Sequence, residues 1–177
     1  MKKCIFDYAR KANTCSYGNV RLKSSIKGIV IHYTGTVGDT AKNECDAFAT
    51  WNTRSAGAHI FIGAKGDTGY SVPITRTAWS VGNPNDCYKR GSYFSTLNNR
   101  NTVSIELCDM IGHGVTEEQK KELIRTCKWL KKKCPNISYV VRHYDIVQKC
   151  CPAYYVGNRK EWLKLRNEIM DSIGLER

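Results

Sequence analysis

Two histidines and one cysteine have the types and the surroundings expected of a metal site. His32 ends an apolar run that begins at Gly28, and His143 ends a second apolar run that begins at Tyr139. Cys151 follows His143 by eight residues, through a short polar stretch. Two neutral imidazoles and a thiolate suit zinc, and three protein ligands leave a fourth position for water. An open fourth position is typical of a catalytic zinc site, so these residues are candidates to bind one catalytic Zn²⁺.

A zinc-activated water that attacks an amide also needs a base and a cation near the developing oxyanion. Glu106 interrupts an otherwise apolar strand segment, and Lys149 lies two residues before Cys151. The pattern leaves other interpretations open. A histidine at a strand end is often only hydrogen-bonded, Glu106 could face solvent, and Lys149 is one of many cations. His59 also has a strand position, but no partner can be assigned, which favours a core or supporting role.

The elements that position these residues follow from hydrophobic periodicity and capping signals. Strands are predicted at residues 28–32, 59–62, 70–72, 102–107 and 139–142. Helices are predicted near residues 41–53, from a capping box at 116–119 to about 133, and at about 158–172. Strands that alternate with helices predict an α/β fold in which helices cover the faces of a sheet.

The first predicted helix has a capping signal and a buried face. Asp39 or Thr40 can cap the helix, and Cys45, Phe48, Ala49 and Trp51 are expected to form its buried stripe.

A long loop is predicted at residues 76–100. These residues are rich in glycine, asparagine and aromatic side chains, and a loop of this length in a compact domain is usually functional.

Length and composition predict one globular domain. The chain has 177 residues, which we divide into an N-terminal extension at 1–25 and a core at about 26–172, and we expect no separate second domain. No stretch approaches the length of a membrane span, and no long apolar segment follows the basic N-terminus as in a signal peptide. We therefore expect synthesis in a cytoplasm, and the nine cysteines to be mostly reduced.

The charge is strongly basic. Lys and Arg total 28 against 16 acidic residues, a formal net charge of +12 that concentrates in the last third of the chain. Such a field favours polyanionic partners, for which nucleic acid and an acidic bacterial wall are the candidates. No nucleic-acid-binding motif accompanies the charge, so we expect no nucleic-acid partner.

Five sequence blocks in order resemble the zinc-dependent N-acetylmuramoyl-L-alanine amidases of the amidase-2 type, which include phage endolysins and peptidoglycan-recognition proteins. The blocks are 29–34, 55–62, 77–82, 101–107 and 142–152. The resemblance implies a mixed central β-sheet flanked by helices, with zinc held by His32, His143 and Cys151. Cys151 rather than Cys150 matches, because the family ligand directly precedes a proline.

The resemblance also implies roles for the remaining candidates. Lys149 matches a lysine that stabilises the oxyanion, and Glu106 matches the catalytic glutamate of one branch of the family. Other members use a tyrosine at the position of Ala58, so the glutamate route is expected here. Trp79 and the loop around Asn83 lie where the family binds its substrate. His59 is assigned a place in the same cleft.

The function implied is cleavage of the amide between N-acetylmuramic acid and L-alanine in bacterial peptidoglycan, as by a phage or prophage endolysin released to the wall. A bacterial autolysin, a non-catalytic peptidoglycan-binding module and a cysteine hydrolase that uses a Cys/His pair remain alternatives. The cell wall is the expected partner, and a monomer is expected.

Overall fold

The computed structural model describes residues 5–82 and 88–176. Within these residues the chain forms eight strands: β1 Tyr8–Ala9, β2 Tyr17–Val20, β3 Gly28–Tyr33, β4 Ile60–Ile62, β5 Thr68–Tyr70, β6 Arg76–Ala78, β7 Thr102–Leu107 and β8 Tyr139–Arg142. The helices are α1 Ala41–Thr50, α2 Glu117–Lys133, α3 Tyr144–Val147, α4 Ala153–Gly157 and α5 Arg159–Ser172, with short 3₁₀ turns at Thr14–Ser16 and Lys23–Ser25. The predicted α/β class is confirmed.

The main sheet has six strands in the order β1-β5-β4-β7-β3-β8. Strand β3 pairs in parallel with both β7 and β8, and β4 pairs in parallel with β7. Strand β5 runs antiparallel to β4, so the sheet is mixed. The carboxyl ends of β3, β7 and β8 therefore meet at one edge of the sheet, where loops and helix ends carry functional groups in open α/β sheets.

Burial on both faces explains the composition of the central strands. Ile29, Ile31, Ile105 and Leu107 belong to one hydrophobic cluster that α2 and α5 complete. Val30 faces a second, smaller cluster with Val81, Leu97 and Val141. Strands covered on both faces read as continuous apolar runs, as β3 does.

Helix α2 has one of the two hydrogen bonds of the predicted capping box. The Thr116 side chain accepts a hydrogen bond from the Gln119 backbone N–H, as a capping box requires. The Gln119 side chain does not return to Thr116 and instead donates to the carbonyls of Ile62 and Cys108. Gln119 thereby ties the helix to the carboxyl ends of β4 and β7.

The predicted buried stripe of α1 is correct for Cys45, whereas it is wrong for Trp51. Thr40 caps the helix, and Cys45 is fully buried, while Phe48 is half-buried against two clusters. The helix ends at Thr50, so Trp51 lies beyond the helix, and this residue is 77% exposed. None of the helices in the described part of the chain combines the length and apolar character that crossing a bilayer requires.

The N-terminal segment contributes two strands that the sequence did not predict. Strand β1 pairs in parallel with β5 at the edge of the main sheet, and β2 forms a two-stranded antiparallel sheet with β6. Strand β6 also occupies the start of the region predicted as a long loop. Residues 5–21 are thus part of the folded domain, and residues 16–18 contact Trp79 in the segment that follows β6.

Candidate active site

Three neighbouring segments bring His32, His143 and Cys151 together. His32 lies on β3, His143 directly follows β8, and Cys151 directly precedes the turn into α4. One side-chain ligand atom from each residue lies within 4.8 Å of the other two. The Cys151 Sγ is 3.8 Å from His32 Nδ1, and the two imidazole centroids are 4.6 Å apart.

The hydrogen bonding of these histidines fits a cation. His32 Nε2 and both ring nitrogens of His143 are buried and have no hydrogen-bond partner within the described residues. Buried polar atoms are rarely left unsatisfied without a reason. Burial lowers the pKa of His32 well below its usual range and that of His143 to about 3, with nearby positive charges contributing. Both rings are therefore neutral at pH 7, which is the form that binds a metal.

Cys151 completes a donor set suited to zinc. The residue is only 3% exposed, and this burial, with the Glu106 charge, raises the pKa of its thiol. Without a cation beside it, the sulfur would stay protonated at neutral pH, because a thiolate needs positive surroundings. Cys150, by contrast, is exposed. The three residues fit a soft-to-borderline divalent metal, and their role as its ligands remains a prediction.

Glu106 lies beside this cluster because strands β3 and β7 are in register. Glu106 is the partner of His32 in the parallel pairing, and its Oε1 is 3.8 Å from His32 Nδ1. Burial raises the pKa of Glu106 to about 7, the nearby Lys149 charge lowers it, and the charge of Asp39 raises it further. The side chain keeps 19% exposure, so it can reach a ligand in the cleft.

Two further carboxyl groups near Glu106 escaped the sequence analysis. Asp39 is 9% exposed and its Oδ1 accepts a hydrogen bond from the Thr40 N–H. Burial and the neighbouring Asp39 carboxylate raise the pKa of Glu44 to about 8. The sequence indicates Asp39 only as a possible cap of helix α1, and Thr40 is the residue that caps this helix.

A cleft of about 370 Å³ opens next to His143. Lys149 lines it and is exposed, and its charge lowers the pKa values of Glu106, His32 and His143. Its ammonium group is therefore near the candidate metal site. The remaining lining residues are Ser55, Ala56, Trp79, Ser80, Gly82, Tyr88 and Asn99.

Trp79 lies in the cleft wall and is held from behind by the N-terminal segment. Its backbone N–H donates to the Ser16 carbonyl at 3.1 Å, and its carbonyl accepts from the Gly57 N–H at 3.1 Å. The indole packs so closely on Gly18 that a Cβ there would lie 2.5 Å from Trp79 Cζ2. On the adjacent turn, the Asn99 side chain accepts from the N–H groups of Ser80 and Val81.

His59 is not in the cleft. It is fully buried, and its Nε2 lies 2.8 Å from the Arg21 guanidinium and 3.1 Å from the Arg76 carbonyl oxygen. Its Nδ1 lies 2.9 Å from Ser104 Oγ and 3.1 Å from the Ser104 backbone nitrogen. With both nitrogens occupied and no exposed surface, the ring cannot contact a ligand in the cleft. The placement of His59 in the substrate cleft is thus corrected to a supporting position beneath it.

The structure thus brings five predicted residues to one place and separates others. His32, His143, Cys151, Glu106 and Lys149 converge, and Trp79 lines the adjoining cleft. Asn83, also predicted to bind substrate, lies outside the described residues. Ser55 and Asn99, which line the cleft, belong to segments that the sequence singled out, but neither was chosen as a site residue.

Known proteins resemble this chain in sequence and in fold. The family model described as N-acetylmuramoyl-L-alanine amidase, Amidase_2, matches residues 22–154. The amidase CwlL of Bacillus licheniformis is 29% identical over 158 residues, and the amidase BlyA of Bacillus subtilis is 29% identical over 157 residues. These alignments cover 85% and 81% of this chain, but only 42% and 41% of the relatives. The chain therefore spans about two fifths of the length of the curated relatives it matches.

Solved structures show the same fold at lower identity. The PlyG catalytic domain superposes with a TM-score of 0.74 at 18% identity, covering 95% of this chain and 96% of its own. PlyL superposes with a TM-score of 0.72 at 20% identity, covering 92% and 95%. The family model covers most of the sequence and the architecture agrees throughout, so the chain belongs to the N-acetylmuramoyl-L-alanine amidase family.

Proposed function

We propose that this chain is a zinc-dependent peptidoglycan hydrolase that cleaves the amide between N-acetylmuramic acid and L-alanine of the stem peptide. The observation that carries the proposal is the convergence of His32, His143 and Cys151, with ligand atoms within 4.8 Å of one another, beside Glu106. Family membership supports the same reaction.

His32, His143 and Cys151 would hold one Zn²⁺, and their unpaired nitrogen atoms and buried thiol support this assignment. The ion would supply a water of lowered pKa and would polarise the scissile carbonyl. The protein keeps both imidazoles neutral by burial, so no proton has to leave them before the metal binds.

Glu106 acts as the general base and then as the general acid. Its carboxylate accepts the proton of the attacking water and delivers it to the leaving amide nitrogen, which must be protonated before the C–N bond breaks. A pKa raised to about 7 by burial suits both transfers. The Lys149 ammonium, which lines the cleft beside His143, stabilises the negative charge that develops on the carbonyl oxygen.

The cleft beside the metal site binds the muramoyl-peptide. Trp79, 37% exposed, offers an indole face to the apolar side of a sugar or of the lactyl group. Asn99 and Ser80 add polar groups on the same wall. Asn83, which follows Gly82 in the sequence, is proposed to contribute to the same subsite.

We further propose that the chain acts on the bacterial wall as the catalytic domain of an endolysin from a phage or prophage. Endolysins named among the solved structures with this fold support that choice, and an autolysin is the alternative. The domain is proposed to act as a monomer.

Two other activities are less well supported. A cysteine hydrolase needs a thiolate, whereas burial raises the pKa of the Cys151 thiol by more than the nearby Lys149 charge lowers it. A non-catalytic binding module would have no need of Cys151 and Glu106 beside two unpaired histidines.

The test is hydrolysis of purified cell wall by the metal-loaded protein. New alanine amino termini should appear, chelation should abolish them, and added zinc should restore them. Glu106→Gln should lower kcat by about 10²-fold or more and leave bound zinc at one per chain. The matched control Glu161→Gln, an exposed residue away from the cluster, should retain full activity. Reducing sugar ends in place of amino termini would contradict the proposed reaction.

A further inference from the structure

Six exposed cations lie on three chain segments at one end of the main sheet. They are Lys23, Lys27, Arg100, Lys128, Lys132 and Lys133, hereafter the basic end. The segments are residues 22–28 before β3, 96–101 before β7, and 127–139, which joins the last turns of α2 to β8.

Hydrogen bonds show that these segments meet. The Lys27 N–H donates to the Asn101 carbonyl at 2.8 Å, and the Lys27 carbonyl accepts from the Ser138 N–H at 2.8 Å. The Asn136 side chain donates to the Ser24 carbonyl at 2.8 Å. The cations therefore form one surface rather than three separate ones.

This surface has no compensating acids. The three segments contain no aspartate or glutamate. None of the six cations has an ion-pair partner in residues 5–82 and 88–176, whereas Lys42, Arg125 and Arg142 are paired elsewhere. Clustered like charges repel one another and favour a bound polyanion.

The helix end alone does not explain these charges. Cations favour the C-terminus of a helix, because the last carbonyls carry partial negative charge. Lys131 meets that need, since its Nζ donates to the carbonyls of Pro135 and Ile137. Lys132 and Lys133 are exposed and make no such bond.

The basic end and the candidate active site lie at opposite ends of the same strands. His32, Glu106 and His143 are at the carboxyl ends of β3, β7 and β8, and the basic end is at their amino ends. A six-residue strand spans about 20 Å, so a polymer at the basic end leaves the cleft open.

We infer that the basic end binds a linear phosphodiester polymer of the cell wall, built from polyol phosphates without bases. Five of the six cations are lysines, which act as point charges on isolated phosphates and do not need the planar fork of arginine. The aromatic residues of these segments, Trp129 and Tyr139, are half-buried and give bases no stacking platform. The choice of a wall polymer rests on the proposed function, whereas the surface itself does not.

The apolar side chains of the three segments disfavour binding to a membrane surface. Of the large apolar side chains in the three segments, all within the described residues, Leu22 alone is exposed. Interfacial binding to lipid needs a continuous apolar face. A polymer at the basic end would hold the domain on the wall and raise the local concentration of peptidoglycan at the cleft.

The experiment measures binding of purified, deacylated poly(glycerol phosphate) over a range of salt concentrations. One variant carries Lys23→Gln, Lys27→Gln, Lys132→Gln and Lys133→Gln. The matched control carries Lys65→Gln, Lys121→Gln, Lys160→Gln and Lys164→Gln, four exposed lysines outside the basic end. Both lower the formal charge of +12 by four.

The basic-end variant should bind at least about tenfold more weakly at moderate salt. Its slope of log affinity against log salt should fall by about 3, while the control stays within about twofold of the unmodified protein. Equal losses in both variants would overturn the inference. Tighter binding to a DNA duplex with the same number of phosphates, or to anionic lipid vesicles, would overturn it as well.

Binding and turnover are read separately. Both variants should hydrolyse a small soluble muramoyl-peptide at the unmodified rate, and only the basic-end variant should be slower on walls that retain the polymer. If the unmodified protein binds the polymer but hydrolyses no amide, the proposed function fails and this inference stands. If it hydrolyses the amide but does not bind the polymer, this inference fails alone.

Discussion

Replacing Arg21 by methionine should destabilise the protein more than any surface change. Arg21 is 9% exposed, its guanidinium donates to the carbonyls of Ile74, Asn99 and Thr102, and it lies 2.8 Å from His59 Nε2. Burial lowers its pKa to about 10, so the cation persists at neutral pH. The substitution Arg21→Met fills similar space but leaves these three carbonyls without the Arg21 donor.

The expected loss follows from those three carbonyls. At about 1 kcal/mol each, the lower end of the range for an unsatisfied buried group, the free energy of unfolding should fall by about 3 kcal/mol. For a domain of this size that corresponds to a Tm about 6–12 °C lower. The Asn99 carbonyl also loses its anchor, so the cleft wall should loosen and KM should rise.

Urea and thermal unfolding of the metal-loaded protein measure the effect. Arg100→Met is the matched control, because Arg100 is exposed and should change stability by no more than about 0.5 kcal/mol. Arg21→Lys should recover part of the loss, since an ammonium still donates to some of the acceptors. If Arg21→Met unfolds within 1 kcal/mol of the Arg100→Met control, the reasoning from unsatisfied acceptors is refuted.

Three further predictions concern the cleft, the metal and pH. Gly18→Ala should raise KM severalfold with kcat nearly unchanged, because a Cβ 2.5 Å from Trp79 Cζ2 must push the indole by about 1 Å. Cys151→Ser should lose zinc on dialysis, whereas Cys150→Ser, which changes an exposed thiol, should retain it. His59→Asn should flatten the acid dependence of stability. The pKa of His59 is about 3 in the folded protein against a usual 6.5, so the unfolded chain takes up its proton first as pH falls. The stability present above pH 6.5 is therefore lost between 6.5 and 3, by up to about 1.4 kcal/mol per pH unit.

Each of these three predictions has an outcome that would contradict it. Gly157→Ala meets nothing within 4 Å, so equal KM values for the two alanine variants would contradict the steric argument. Metal analysis that finds zinc retained by Cys151→Ser would remove the sulfur from the ligand set. If the urea midpoint falls equally steeply with decreasing pH in His59→Asn and in the unmodified protein, His59 does not contribute to the acid dependence of stability.

Much of the fold was predictable because its signals are local. Strand β3 is a continuous apolar run, and α2 and α5 begin and end close to the positions that capping and periodicity indicate. Strands β1, β2 and β6 were missed because they are two to four residues long and partly polar, and they exist only through pairing with distant segments. Tyr8, for example, pairs with Gly69.

Some features of the candidate site could be predicted from local sequence signals, and others could not. His32 and His143 could be expected at one edge, because parallel strands present their carboxyl ends together. The contact of Arg21 with His59 could not be foreseen, since it joins an irregular segment to the residue that precedes β4, 38 positions away. The closeness of Asp39 and Glu44 to Glu106 could not be foreseen either, because the sequence indicates Asp39 only as a possible helix cap.

The wrapping of the N-terminal segment affects how this domain can be exchanged between enzymes. The family match begins at residue 22, whereas Arg21, Gly18 and Ser16, which hold His59 and Trp79, precede it. A chimera joined at that boundary would keep every candidate zinc ligand and still have a misshapen cleft. Fusion junctions are better placed before Phe6, because Phe6 packs in the hydrophobic core and the following strand β1 pairs with β5.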